Sequence, residues 1–265
     1  FECGIAEANM TALGAGLALT GKIPFVASFS AFMMTKGFEQ LRVMVAYPGV
    51  NLKVVGTHSG ISIGEDGPSQ MSIEDLSLAC NLPGFTVLCP ADEVAMKAAV
   101  KWAAAHDGPV FLRAGRVKAP IIYPEGQTFD LSKAVVLLDG TDVTLVGTGL
   151  LVAECIRAAE TLAAEGISAR VIDVISIKPL DVETLAKAAR ETGALVVAEE
   201  HLVDTRLGCR VSQALASTTP APIEFVGIEN CYAESGTPEA VMEKYNLNAV
   251  TVVAAAKRVL ARKKS

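Results

Sequence analysis

Along the whole chain, nearly continuous apolar runs of five to seven residues alternate with longer stretches of helical spacing. The runs "IPFVASF" (23–29), "NLKVVGT" (51–57), "FTVLC" (85–89) and "PVFLR" (109–113) are bounded by Gly, Pro or Asn and read as buried strands. Between them, 4–20, 36–47, 72–81 and 92–106 carry helical spacing, with Asp92 as an N-cap and Ser72 with Asp75 as a capping box. From 117 to 140 the pattern loosens into a polar stretch with two prolines, and then alternation resumes. Strands are predicted at 143–147, 169–174, 194–200 and 223–228, helices near 150–165, 181–191 and 204–216, and a last helix over 248–262. Such alternation specifies an α/β fold of two domains, each a mainly parallel sheet flanked by helices. The expected division is 1–120, a linker at 121–140, and 141–265.

With 51% hydrophobic and 20% charged residues, the chain has enough apolar material for two cores. A net charge of −6 leaves no basic surface for a phosphate backbone, so nucleic acid is excluded as a partner. The one basic run, Arg262-Lys263-Lys264, is expected to be solvated. Mean hydropathy is positive at +0.40, yet the apolar runs fall short of the roughly 18 residues that span a bilayer, so no membrane insertion is expected. Six scattered cysteines, without paired Cys or His spacing, argue against a zinc site or a disulfide framework and fit a reducing cytoplasm. The chain begins at Phe1 rather than Met, and the gene product is expected to start upstream.

Several residues are candidates for chemistry. "VTLVGTGLLVAECI" places Gly147 and Gly149 between a strand and a helix, with Asp173 where a ribose-binding acid would sit. The third glycine of the dinucleotide fingerprint is missing, so tight strand-to-helix packing is the stronger reading. Glu7 lies among small and apolar residues near the start of a helix, and burial without a cation raises a carboxyl pKa. Either proton sharing or simple satisfaction of the first helical turn accounts for it. Phe29 and Phe32 follow a strand at an i, i+3 spacing, as core aromatics also do. His58 and Ser59 end the next strand, at the carboxyl edge where ligands bind in parallel sheets. Arg113 and Arg116 follow another strand at the same edge; a surface ion pair is the expectation for Arg113. "GEDGPSQ" (64–70) crowds Glu65 and Asp66 into one turn between glycines.

Taken in order, "GIAEANM", "SFSAF", "THSGISIGEDGPSQMSIEDL", "CPAD" and "RAGR" resemble the C-terminal half of transketolase across essentially the whole chain. The resemblance implies a pyrimidine-binding domain at 1–120 and the family's C-terminal domain at 141–265, working with thiamine diphosphate and Mg²⁺. Glu7 matches the glutamate that hydrogen-bonds N1′ of the aminopyrimidine and favours the imino form, whose 4′-nitrogen takes the thiazolium C2 proton. Phe32, with Phe29 beside it, matches the aromatic wall against that ring. Gln70 stands where many members carry His, beside the cofactor; an amide there orients but cannot transfer a proton. Asp66 matches the acceptor for a sugar hydroxyl, and His58 and Arg116 match groups that bind the sugar phosphate and its terminal phosphate.

No Gly-Asp-Gly occurs in the chain, although that motif holds the metal and diphosphate in thiamine enzymes. The chain is then either one subunit of a two-gene transketolase or a trimmed piece of a single chain. On the first reading, which is adopted, the resemblance implies a separate N-terminal transketolase subunit as partner, self-association to a dimer or heterotetramer, and no metal ligand in this chain. The reaction implied is transfer of a two-carbon ketol unit from a ketose phosphate to an aldose phosphate. The alternatives are another thiamine-dependent carboligase subunit and a non-catalytic regulatory protein on the same fold.

Overall fold

The computed structural model describes residues 1–205 and 207–263. In the first sheet, β1 (Phe25–Phe29), β2 (Lys53–Thr57), β4 (Val110–Arg113) and β3 (Thr86–Leu88) lie side by side and parallel. The second sheet contains β10 (Ile223–Ile228), β9 (Leu195–Leu202), β6 (Val143–Gly147) and β7 (Ala169–Asp173), also parallel. Every residue of β4, β6 and β7 is buried, which is why these strands read as unbroken apolar runs rather than alternating ones.

Each sheet also gains an antiparallel edge that periodicity did not reveal. β5 (Val135–Leu138), inside the stretch expected to be a linker, pairs with β7. β8 (Ser176–Lys178) leaves the second unit and pairs with β3, so it completes the first sheet. The ammonium of Lys178 donates to the carbonyls of Cys80 (3.0 Å) and Leu82 (2.6 Å), closing the end of α4 (Asp75–Asn81).

Helices cover both sheets. Asp92 caps α5 (Glu93–Ala105) as predicted, its Oδ1 accepting the Ala95 N–H at 2.8 Å. The expected Ser72 cap does not form: α4 starts at Asp75 and has no side-chain cap, because the Asp75 carboxylate is turned inward to Arg113. α1 (Glu7–Leu19) buries only Glu7, Thr11, Gly14 and Ala15. Gly14 and Ala15 face the chain's own sheet, while Leu13 and Leu19 stay exposed. α2 (Ser30–Thr35) follows β1 directly where no helix was predicted, and the helical stretch that follows is wound as a π-helix over Leu41–Ala46. The basic tail is solvent-exposed, as expected, and also engaged: Arg262 pairs with Glu224, and Lys263 donates to the Thr192 carbonyl at 2.6 Å. Lys264 lies outside the described residues.

The segment after β4 is strapped over the seam between the two units. Asp92 Oδ2 accepts the N–H groups of Ile122 (2.8 Å) and Tyr123 (2.9 Å), and the Tyr123 hydroxyl donates to Asp173 at 2.7 Å. Burial pushes the Asp173 carboxyl up to about 7, against the pull of the Tyr123 hydrogen bond. A carboxyl whose folded pKa is raised contributes stability that is complete below its unfolded value, near 4, and is lost as pH rises through 7. Asp173→Asn is therefore expected to flatten the fall in unfolding free energy between about pH 5 and 7. Urea titrations at both pH values test this, and an unchanged slope in the variant would count against Asp173 as its source.

Candidate active site

The carboxyl ends of β1, β2 and β4 carry the polar groups. Glu7, in the first turn of α1, is 6% exposed, and its Oε1 accepts the Ser28 hydroxyl at 3.0 Å. Both residues line a cavity of about 500 Å³ between α1, β1 and the N-terminal segment. The chain then passes from Ser28 to Phe29, which ends β1. The Phe29 ring lies parallel to that of Phe32 at 6.0 Å between centroids and to the imidazole of His58 at 3.9 Å. Lys36 places its ammonium 4.9 Å from the centre of the Phe32 ring.

His58 ends β2 with φ 55°, a left-handed conformation that few non-glycine residues adopt, and its Nδ1 lies 2.9 Å from the Thr57 hydroxyl. Burial, and then the nearby Arg116 guanidinium, hold its pKa below the ordinary histidine value, so it is neutral at pH 7. The 64–70 loop opens with a 3₁₀ turn over Gly64–Asp66. Gly64 and Gly67 have φ 77° and 78°, and a Cβ at Gly64 would stand 2.8 Å from Pro238 Cδ. Pro238 begins α9 (Pro238–Lys244), so the second unit supports this loop from behind. Arg116 Nη1 donates to the Ile63 carbonyl at 3.0 Å and lies 3.4 Å from Asp66 and 3.8 Å from Glu65. Gln70 is half-buried, its amide 3.4 Å from the Ser69 hydroxyl.

All the predicted residues but Gln70 lie along one line of contacts and near neighbours. Glu7 meets Ser28, Phe29 stacks on Phe32 and His58, and His58 feels the charges of Arg116 and Asp66. Gln70 sits on the same loop, with its amide turned to Ser69. Ser28, which positions Glu7, was missed; its only sequence signal is its place before Phe29 at the strand end. Arg113 is not a surface residue. It is 6% exposed, its Nε donates to Asp75 at 2.9 Å, and its Nη2 donates to the carbonyls of Glu200 (3.0 Å) and Ser72 (3.3 Å). Ser30 adds a hydroxyl to Asp75 at 2.7 Å. This buried network underlies the site and joins it to β9.

An acid beside a hydroxyl, next to parallel aromatic faces, suits an aminopyrimidine ring. No group of three or more His, Cys, Asp or Glu among the described residues is arranged to hold a metal ion. The model of the transketolase pyrimidine binding domain matches residues 1–120, and that of the transketolase C-terminal domain matches 132–252. The chain belongs to the transketolase family. A 6-deoxy-6-sulfo-D-fructose transketolase subunit from a Clostridium species is 43% identical over 99% of this chain and 81% of its own length. A putative transketolase C-terminal section from Methanocaldococcus jannaschii is 37% identical over 98% and 81%. A solved split-gene transketolase, described as an inactive β4 tetramer, superposes with a TM-score of 0.94 at 42% identity, over 99% of this chain and 84% of that one. Against the mouse transketolase, 36% identical, the chain spans 41% of the length.

Gly147 of the second unit is accounted for by close strand-to-helix packing. A Cβ at Gly147 would meet Val152 Cα at 2.9 Å, Thr148 is bonded to the Val174 carbonyl at 2.9 Å, and Asp173 is sealed against Tyr123. No described helix is long and apolar enough to cross a membrane.

Proposed function

We propose that this chain completes the active site of a transketolase together with a separate N-terminal subunit that holds the diphosphate and Mg²⁺ of thiamine diphosphate. The observation that carries this reading is the buried Glu7–Ser28 pair beside the Phe29–Phe32 wall at the sheet edge. Bound thiamine diphosphate supplies the carbon nucleophile that takes up a two-carbon ketol unit from a ketose and passes it to an aldose. Glu7 holds a proton at the N1′ nitrogen of the aminopyrimidine, and Ser28, donating to its other side, fixes the carboxyl orientation. Phe29 and Phe32 set the plane of that ring. Asp66 accepts a sugar hydroxyl, Arg116 with neutral His58 receives the anionic terminus, and Gln70 orients without exchanging a proton.

Both a sulfonated fructose and apulose 4-phosphate appear in the names of relatives, at 43% and 36% identity. The substrate class that suits this chain is accordingly a ketose with an anionic end. Self-association fits the apolar residues left exposed around α1, among them Leu13, Leu19 and Phe25, and the tetramer formed by the similar split-gene chain.

The test is reconstitution. The chain alone is expected to bind thiamine diphosphate and Mg²⁺ weakly or not at all by calorimetry and to sediment as a dimer or larger. Ketol transfer should appear when the N-terminal subunit is added. Micromolar cofactor binding by the unpartnered chain, or no transfer by the pair, would sink the proposal.

A further inference from the structure

Glu65 has no assigned role, and its surroundings are unusual. Arg116 is pinned through Nη1 to the Ile63 carbonyl, and that same nitrogen faces Asp66 at 3.4 Å and Glu65 at 3.8 Å. Two carboxylates therefore share one guanidinium, and the formal charge of the trio is −1. His58 adds no compensating cation while it is neutral. The backbone of the turn is fixed, with Gly64 and Gly67 in positive-φ conformations and Gly64 closely packed on Pro238, so the two acids leave neighbouring positions of one turn and only their side chains can move apart. Glu65 is the more exposed of the two, at 61% against 35%.

We infer that Glu65 is a specificity-setting residue: its carboxylate competes with the anionic end of the sugar for Arg116, and so sets how strongly the site prefers charged over neutral ketoses. The inference rests on the transketolase reading and on Arg116 as the receiver of the anionic end. An anion reaching Arg116 must displace Glu65 or bear its repulsion. A doubly charged terminus pays more of that repulsion than a singly charged one. Displacing the acids from Arg116 also leaves Asp66 free to accept the sugar hydroxyl, so recognition of the two ends is coupled. Because the pair is solvent-exposed, the effect is modest and salt-sensitive.

The experiment uses the enzyme assembled with its N-terminal subunit and two donors, a ketose carrying a terminal phosphate and the neutral ketose of the same configuration. In Glu65→Gln, the ratio of kcat/KM for the phosphorylated donor to that for the neutral one should rise by about two- to five-fold at low ionic strength. The change should lie in KM and shrink in about 0.5 M salt. An unchanged ratio overturns the inference, and so does a fall, which would make Glu65 a support for Arg116 rather than a competitor. Arg116→Met provides the separate control: it should lower the ratio. If it does not, the placement of the anionic end at Arg116 fails, whatever Glu65 does.

Discussion

Replacing Glu7 by Gln in the assembled enzyme is expected to lower kcat by about two to four orders of magnitude, with every donor affected alike. The amide keeps the shape and can still meet the Ser28 hydroxyl that lies 3.0 Å from the native carboxylate, but it cannot hold a proton in the shared position. Exchange of the cofactor's C2 proton with deuterated solvent should slow in parallel. Asp66→Ala should behave differently, since that carboxylate lies against Arg116 rather than in the cavity beside α1 and, in the proposed function, serves the sugar and not the cofactor. Its loss should leave exchange nearly intact and cost about 1–3 kcal/mol in kcat/KM for the preferred donor, less for the epimer. Exchange measured beside kcat/KM for two epimeric donors separates the roles. Normal exchange in Glu7→Gln would refute the division of labour.

The second large effect is on stability. Asp75 is fully buried, and its carboxylate meets Arg113 at 2.9 Å, Ser30 at 2.7 Å and the His201 ring at 3.8 Å. Burial alone would raise its pKa; Arg113 above all, then His201 and the two hydrogen bonds, hold it below the ordinary value instead. Asp75→Ala strands the Arg113 guanidinium in the interior without its counter-ion, and about 3–5 kcal/mol of stability should be lost. Arg113→Met alone should also destabilise, by stranding Asp75. Combining Arg113→Met with Asp75→Leu removes both charges and should recover much of the loss, because a buried ion pair and an apolar pair of similar volume are often close in energy. Urea titrations of Asp75→Leu, Arg113→Met and the double variant, each against the unsubstituted protein, give the coupling. Additive losses would show that the two residues do not act as a pair.

The strands were legible wherever burial on both faces produced an unbroken apolar run, as in β4 and β6. Ser176–Lys178 was not, since three residues carry no periodicity and their partner, β3, lies almost ninety positions away in sequence. α2 was hidden for a related reason: "SAFMMT" buries Ser30, Met33 and Met34 over less than two turns. The capping box at Ser72 failed through competition, because the Arg113 charge in the interior claimed Asp75. Of the candidate site, Phe29 and His58 drew notice from their places at strand ends, and Glu7, Asp66 and Arg116 from the motifs that carry them. Ser28 and the Ser30–Asp75–Arg113 network were not, because only the three-dimensional arrangement joins residues 21 and 45 positions apart.

β8 makes the chain hard to cut at the place where its composition suggests a cut. A recombination breakpoint placed in the polar stretch 117–140, where composition would put it, would strip β3 of its outer neighbour and leave the carbonyls of Cys80 and Leu82 without Lys178. The excised C-terminal piece would in turn carry a dangling segment evolved to lie in another module's sheet. Any exchange of these modules would therefore have to carry the 176–178 segment with the first unit or replace it.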